Sequence, residues 1–198
     1  MRIYTYVVAR DYGFAPNPFY GVCTLATCIS PIRRTASIGD WVIGTGSATK
    51  NLQCRLVYCM RVSQTLTYDE YWAHEAFVRK RPRRDSSIKA AYGDNIYHRA
   101  PDGHWLQADS HHSLEDGSPN PVNVKSDTKV DRVLVGARYS YWGADAIPIP
   151  EEFTRDDVSA VRKGIGYRCH FPPPFAEALD AWLETKAGLG FGGRPGDW

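Results

Sequence analysis

The stretch Ile3–Ala9, with the sequence IYTYVVA, decides the fold class of this chain. Its residues are mostly β-branched or aromatic, which favours a strand buried near the centre of a sheet. Further strands are predicted along the chain at residues 38–44, 53–62, 95–98, 104–108, 131–136, 139–142 and 167–171. Residues 23–28 fit either a strand or a short helix. Strands therefore dominate the predicted architecture.

Helices are predicted between these strands. Thr67 and Glu70 have the spacing of a capping box, which starts a helix that ends near Lys80, before Pro82. A short helix is predicted over residues 154–162. An amphipathic helix starts at Pro174 and ends at Gly188, and its apolar side holds Phe175, Leu179, Trp182 and Leu183.

These elements predict one α+β domain over residues 1–187, followed by a mobile tail at residues 188–198. The sheet is expected to be a curved mixed or antiparallel sheet, or a partial barrel, with covering helices.

The composition of the chain excludes several classes of protein. Its 198 residues are 43% hydrophobic, which is enough for a real core, and a formal net charge of +2 requires no polyanionic partner. No apolar run approaches the ~20 residues needed to cross a bilayer, and the first apolar run is too short for a secretory leader. The spacings Cys23–Cys28 and Cys54–Cys59 lack the C-x2-C form of a zinc site. We therefore expect a cytoplasmic protein with reduced, mostly buried thiols and no metal site; the sequence identifies no cofactor.

Two polar loops concentrate the residues that carry chemistry. One is Trp105–Thr128, WLQADSHHSLEDGSPNPVNVKSDT, which shows neither helical nor strand periodicity. The other is Asp11–Gly21, DYGFAPNPFYG, which contains the same Pro-Asn-Pro tripeptide. A long aperiodic loop in a compact domain is usually functional or disordered, and the apolar residues of the longer loop favour order. We therefore predict that the two loops form a site.

The adjacent histidines of the longer loop suggest acid–base chemistry. His111 and His112 would point in opposite directions on an extended backbone, so at most one would face a pocket. His112 could act as an acid or base oriented by Asp109 or Asp127, because histidine titrates near neutral pH. Two alternatives stay open: histidines that only cap turns, and a metal site, for which no H-x-x-x-H or H-x-D signature is present.

Nucleophilic catalysis has less support in the sequence. Neither G-x-S-x-G nor a cysteine beside a histidine occurs, apart from Cys169-His170 in a predicted strand. The loop Gly44–Ser47 is too short for a P-loop and lacks its lysine. The glycine-rich tail follows a helix instead of a strand, which is the wrong context for a dinucleotide-binding loop.

Aromatic and basic residues suggest how a nucleotide could be bound. Aromatic side chains near strand ends and loops could stack on a base, and these are Trp41, Tyr97, Trp105, Tyr139, Tyr141 and Trp142. A basic run could contact phosphate or lie at a solvated helix end. It consists of Arg79, Lys80, Arg81, Arg83 and Arg84, with a smaller pair at Arg33 and Arg34.

With these residues, the chain resembles the second family of nucleotide-modification-associated domains, which occurs in phages and bacteria beside machinery that modifies DNA bases. The motifs DYGFAPNPFYGVCTLATC, IRRTASIGDWVIGTGS, YDEYW, YGDNIYHR, WLQADSHHSLEDGSPNPVNV and DRVLVGARYSYWG carry the resemblance. It implies polar positions of interest at Asp11, Asn17, Asp94, Asn95, Asp109, Ser110, His112, Asn120 and Asp127. Family members tend to read Gly-x-Gly-His-Arg where this chain has Tyr167, which argues against a mechanism that needs a second histidine there. Residues 38–72 also resemble PUA-like domains of the EVE type, small β-barrels that bind modified bases.

We therefore expect a protein that recognises or processes a nucleotide or modified base in a DNA-modification or phage-defence setting. The base would lie between the two polar loops, with Trp105 or Tyr97 stacking on it. One alternative is a nucleotide-directed hydrolase or transferase with His112 as its acid–base residue. Another is a protein-interaction module whose loops are only structural. The sequence leaves the oligomeric state open.

Overall fold

A computed structural model of the chain describes residues 1–155, 158–162 and 164–198. The strands are β1 Ile3–Val8, β2 Cys23–Leu25, β3 Trp41–Gly46, β4 Arg55–Arg61, β5 Gln64–Leu66, β6 Tyr97–Arg99, β7 Trp105–Gln107, β8 Val133–Gly136, β9 Arg138–Tyr141, β10 Ile147–Pro148, β11 Tyr167–Arg168 and β12 Gly190–Phe191. The α-helices are α1 Ser30–Thr35, α2 Tyr68–Ala73, α3 Ile88–Ala91, α4 Pro121–Thr128 and α5 Pro173–Lys186. The predicted α+β class is confirmed. The helix predicted over residues 154–162 includes residues 156 and 157, which lie outside the described residues.

The chain divides into two compact units. The first contains residues 1–12, 36–63 and 136–198, and the second contains residues 13–35 and 64–135. Among the described residues, no helix is long and apolar enough to cross a membrane.

The first unit is built on an open mixed sheet of seven strands. Six strands follow the order β11-β1-β3-β4-β9-β12, and β10 pairs with β4. The pairs β1–β3 and β9–β12 are parallel, and the other pairs are antiparallel. β1 has a neighbour on each side and is buried along most of its length, which confirms the strand predicted from IYTYVVA. The sheet is not closed, so a PUA-like barrel stays a prediction.

The helix α5 packs on this sheet through the apolar side that the sequence predicts. Leu179 and Leu183 are fully buried, and Phe175 and Trp182 are partly buried against the same core. The strands contribute Ile3, Trp41, Ile43, Leu56 and Cys59 to that core. The spacing of apolar residues is therefore explained by helix-on-sheet packing.

Residues 188–198 make defined contacts within the first unit, where the sequence predicts a mobile tail. β12 pairs with β9, and the Gly192 N–H donates to the Tyr141 carbonyl at 2.9 Å. The Trp198 indole N–H donates to the Tyr12 carbonyl at 2.8 Å. These contacts involve backbone groups, so the pattern of apolar residues in the sequence could not predict them.

The second unit contains two small sheets and the helices α1–α4. The strand order is β2-β8-β5 in one sheet, and β6 pairs with β7 in the other. The predicted capping box of α2 is confirmed: Thr67 Oγ1 accepts from the Glu70 N–H at 3.2 Å, and a Glu70 carboxylate oxygen accepts from the Thr67 N–H at 2.7 Å. The α-helix ends at Ala73, and a 3-10 turn continues over Glu75–Lys80.

The sequence predicts one irregular loop over residues 105–128, but its last part forms the helix α4. Asn120 caps the helix, because its side-chain oxygen accepts from the N–H groups of Val122 at 3.0 Å and Asn123 at 3.3 Å. Pro121 occupies the first helical turn, where a missing N–H costs little. Asp127 is the buried residue of α4, so this helix has no apolar stripe to detect.

Candidate active site

His112 lies in the turn between β7 and α4, with both ring nitrogens facing a partner. Nδ1 lies 2.9 Å from a carboxylate oxygen of Asp127, and Nε2 lies 3.9 Å from the sulfur of Cys28. The main-chain carbonyl of His112 accepts from the side chains of Asn123 at 2.8 Å and Gln107 at 3.2 Å. These two amides fix the turn, and the imidazole stays 16% exposed.

Asp127 contacts three other residues of this site, namely Cys28, Tyr97 and His112. One carboxylate oxygen accepts from the main-chain N–H of Cys28 at 2.9 Å. The other accepts from the Tyr97 hydroxyl at 3.0 Å and faces His112. Three donors therefore compensate the burial of this carboxylate, and the same side chain positions Cys28 and His112.

Cys28 lies between β2 and α1 in an unusual backbone conformation. Its φ angle is 56°, and that of Ile29 is 30°, so two consecutive residues with side chains occupy the left-handed region. The fully buried Arg33 holds this segment: its side chain donates to the carbonyl of Cys28 at 3.0 Å and to that of Asp127 at 2.7 Å. Such strain persists where the surroundings fix it, which is common at functional sites.

The charge state of His112 follows from its partners. Burial lowers the pKa of His112, but the hydrogen bonds with the Asp127 carboxylate and the Cys28 sulfur outweigh this effect and raise the pKa to about 9. The imidazole is therefore protonated at neutral pH. It can donate a proton to a bound molecule, or hold one taken from Cys28.

Phe14 brings the two polar loops together within the second unit. Its ring centroid lies 4.6 Å from that of His112 and 5.4 Å from that of His111. The two histidines occupy a turn and not an extended segment, so they share this neighbour instead of pointing apart as predicted. His111 is exposed and also contacts the Tyr92 ring, at 5.1 Å.

The geometry also bears on metal binding. Among the described residues, no group of three or more His, Cys, Asp or Glu side chains is arranged to hold an ion. Cys28 and Asp127 face different nitrogens of the His112 ring, so one ion could not contact all three side chains.

Two predicted site residues, Asn17 and Lys80, instead form part of a buried polar network. Lys80 is fully buried, and its ammonium donates to Asn17 Oδ1 at 2.7 Å, to Thr24 Oγ1 at 3.0 Å and to the carbonyl of Val22 at 3.1 Å. Burial lowers the pKa of Lys80 to about 8. The prediction that Lys80 contacts phosphate is therefore wrong, since the surrounding protein occupies its donors.

Asp94 and Asn95 lie in the same buried region of the second unit as Lys80. The Asp94 carboxylate accepts from Thr24 Oγ1 at 2.6 Å and from the Tyr71 hydroxyl at 2.7 Å, and burial raises its pKa. The Asn95 amide donates to the Tyr71 carbonyl at 2.9 Å. Both residues are fully buried, so they position the chain and offer no surface to a ligand.

The predicted stacking residues differ in exposure. Tyr97 is fully buried, so its ring has no open face for a base. Trp105 is partly exposed, but the Arg99 guanidinium lies 4.0 Å from its ring centroid, and the centroid of the nearly perpendicular Tyr68 ring lies 5.5 Å away. Of the other aromatic candidates, Trp142 is partly buried, and the buried ones are Trp41, Tyr139 and Tyr141.

Three more predicted residues have separate roles in the longer loop. Asn120 caps α4, and Ser110 Oγ accepts from the His112 N–H at 3.3 Å. Asp109 is exposed, whereas the carboxylate on the His112 ring is that of Asp127. Of the two carboxylates that the sequence proposes to orient His112, only that of Asp127 is in contact with its ring among the described residues.

Asp11 belongs to the first unit. Its carboxylate accepts from the Tyr141 hydroxyl and, at 3.1 Å, from the Gly196 N–H. It lines a cavity of about 200 Å³, together with Lys50 and Asp197, which form an ion pair.

The four arginines of the basic run differ in how far they are exposed. Arg79, Arg83 and Arg84 are exposed, although the Arg79 guanidinium lies 4.5 Å from the centroid of the Tyr20 ring. Arg81 is half-buried over Trp72, at 4.1 Å from the ring centroid. Three arginines thus stay available for phosphate.

Cys28 and Arg33 are the site residues that sequence reasoning missed. The sulfur of Cys28 meets a histidine 84 positions away, and a search for neighbouring Cys and His in the sequence cannot find that pair. One signal was available: Cys28 ends the motif DYGFAPNPFYGVCTLATC, shortly after the strand β2 that ends at Leu25.

The fold and site thus define an α+β protein with a Cys–His–Asp arrangement in its second unit. The sequence model of the family described as nucleotide modification associated domain 2 matches residues 1–198, so the chain belongs to that family. The description of the family indicates involvement in nucleotide modification. Neither the curated proteins nor the solved structures contain a match to the chain.

Proposed function

We propose that the chain is an enzyme that processes a nucleotide or modified base, with His112 as its acid–base residue and Asp127 as the orienting carboxylate. The observation that carries this proposal is the 2.9 Å contact between His112 Nδ1 and the buried carboxylate of Asp127. A carboxylate on one ring nitrogen fixes the orientation of the imidazole and leaves the other nitrogen for proton transfer.

The same contacts favour an enzyme over a protein that only binds. Several residues proposed to bind the base are buried in the protein interior, namely Asn17, Asp94, Asn95 and Tyr97. The His112 imidazole is partly exposed, and hydrogen bonds with its partners raise its pKa to about 9. Perturbed groups of this kind are frequent at reaction centres.

The substrate proposal rests on the family and on surface charge. A nucleotide carries phosphate, and the exposed Arg79, Arg83 and Arg84 could contact it, whether it is free or part of a nucleic acid. The setting that we propose is DNA modification or phage defence, inside the cytoplasm.

The test compares two His–Asp pairs of the same chain. The protein is incubated with free nucleotides and with DNA, each unmodified and carrying modified bases, and the products are separated by chromatography with mass detection. We expect turnover of at least one compound, loss of that turnover in His112→Ala, and retention in His104→Ala. His104 is a matched control because it pairs with Asp102 at an exposed position.

Thermal shift separates binding from chemistry in the same samples. His112→Ala should still be stabilised by the compound that the wild type turns over, because a bound ligand raises the melting temperature. Unchanged turnover in His112→Ala would rule out the proposed role, and absence of both turnover and thermal shift with every compound would rule out the substrate class.

A further inference from the structure

We propose that Cys28 is the nucleophile of this site and that the site performs acyl transfer through a thioester, on a carboxamide or ester borne by its substrate. The inference rests on the proposed function for the roles of His112 and Asp127. It adds a covalent step, a reaction class and the functional group on which the enzyme acts.

The first support is the order of the contacts. The Cys28 sulfur faces Nε2 of His112 at 3.9 Å, and the opposite ring nitrogen faces Asp127 at 2.9 Å. A nucleophile, a base and an orienting acid in this order are recognised by geometry and not by sequence position. The sulfur–nitrogen distance is long, as such contacts often are before a substrate binds.

The second support is how Cys28 is held. Its N–H donates to the same carboxylate that orients His112, and its carbonyl accepts from the buried Arg33. Hydrogen bonds on both sides of Cys28 therefore hold its left-handed conformation, which continues at Ile29. A cysteine that served only as core filling would not require this conformation.

The third support is the contrast with the other cysteines. Cys23 and Cys59 are fully buried, and burial raises the pKa of the Cys59 thiol to about 12. Cys54 is exposed, and Cys169 is partly exposed. Cys28 combines partial exposure with an imidazole whose Nε2 faces the sulfur and can hold the thiol proton in an ion pair, which is what a nucleophilic thiol requires.

The reaction balances with the residues present and water. With the thiol proton on His112 Nε2, the sulfur attacks the carbonyl carbon, a C–S bond forms, and the C=O π electrons move to oxygen. When these electrons return, the bond to the leaving nitrogen or oxygen breaks, and that atom takes the proton from Nε2. Water then adds to the thioester and gives its proton to Nε2, and the C–S bond breaks with its electrons returning to sulfur. An acceptor amine could replace water in this last step.

The experiment measures the reactivity of Cys28 directly, with iodoacetamide and p-nitrophenyl acetate as probes. The full-length protein is treated at pH 7, and the alkylation of each cysteine is followed by peptide mass spectrometry. We expect Cys28 to react about tenfold faster than the more exposed Cys54, because an adjacent imidazole activates a thiol. In His112→Gln the Cys28 rate should fall to that of Cys54, while the Cys54 rate, measured in the same molecules, stays constant.

The ester probe tests the covalent step. Wild type and the control Cys54→Ser should form an acetyl thioester at Cys28 and should release p-nitrophenol. Cys28→Ser should show no acetylation at position 28 and no release of p-nitrophenol, although its melting temperature stays that of the wild type. Equal alkylation of Cys28 and Cys54, unaffected by His112→Gln, would overturn the inference, and so would ester cleavage that survives in Cys28→Ser.

Failure of this inference can be separated from failure of the proposed function. If nucleotide turnover requires His112 but persists in Cys28→Ser, the proposed function holds and the nucleophile is wrong. If Cys28 is alkylated and acetylated as expected while no nucleotide or base is processed, the acyl-transfer site holds and the proposed substrate is wrong.

Discussion

The substitution Asp127→Asn tests the central interaction of the site. It removes a buried negative charge while keeping the shape of the side chain, so His112 loses the carboxylate that raises its pKa. Burial then lowers the pKa of His112 with less opposition, and we expect the pKa to fall from about 9 to 6.5 or below. At neutral pH the imidazole would change from protonated to largely neutral.

The magnitude follows from that difference in pKa. A displacement from the ordinary value of about 6.5 to about 9 corresponds to about 3 kcal/mol of interaction that is present only with protonated His112. Because the pKa is raised in the folded state, this stabilisation is fully present below pH 6.5 and is lost as pH rises through about 9. The stability difference between the wild type and Asp127→Asn should therefore shrink as pH rises through this window, because other groups, such as Lys80 with its pKa lowered to about 8, titrate alike in both proteins.

Two assays check this prediction. NMR titration of the imidazole resonances gives the pKa of His112, and urea unfolding between pH 6 and about pH 10 gives the linked free energy. Asp102→Asn is the matched control, since it removes the carboxylate from the exposed His104–Asp102 pair and should leave the His112 titration unchanged. A His112 pKa that stays near 9 in Asp127→Asn would refute the reasoning.

Two further predictions concern the lysine of the interior and the basic surface. Lys80→Met should lower the unfolding free energy by about 3–5 kcal/mol in urea titrations, because it leaves the buried acceptors on Asn17 and Thr24 and the buried acid Asp94 without their cation. The control Lys125→Met, at an exposed position, should change the unfolding free energy little. If the arginines contact phosphate, Arg83→Ala combined with Arg84→Ala should reduce the slope of log affinity for DNA against log salt by roughly two, measured by fluorescence anisotropy. A slope that is unchanged would remove these arginines from the interface.

The local parts of this fold could be predicted from the sequence. The strand IYTYVVA, the capping box at Thr67 and the apolar side of α5 each depend on residues within a few positions of one another. The candidate pair of His112 with Asp109 or Asp127 also came from the composition of one loop. In each case the deciding contact lies within one element or one short segment.

The remaining parts depend on contacts between distant positions. Lys80 and Arg33 are charged and therefore predicted to be exposed, yet each is fully buried, because main-chain and side-chain acceptors from other segments satisfy it. The contact between Cys28 and His112 has the same origin, since it forms only when β2 ends beside the turn before α4. Hydropathy and spacing within a window contain no information on such pairs.

The helix α4 shows why the candidate site and the fold cannot be separated in the second unit. A surface helix is normally stabilised by an apolar stripe, but α4 buries Asp127 and leaves Val122 75% exposed. Burying a carboxylate costs free energy unless donors compensate it, and here the donors are Tyr97, His112 and the backbone of Cys28. The helix is therefore placed by the polar groups of the site and not by hydrophobic packing. Removing that carboxylate should loosen α4 and separate the thiol from the imidazole, so one substitution would affect both the stability and the chemistry of this unit.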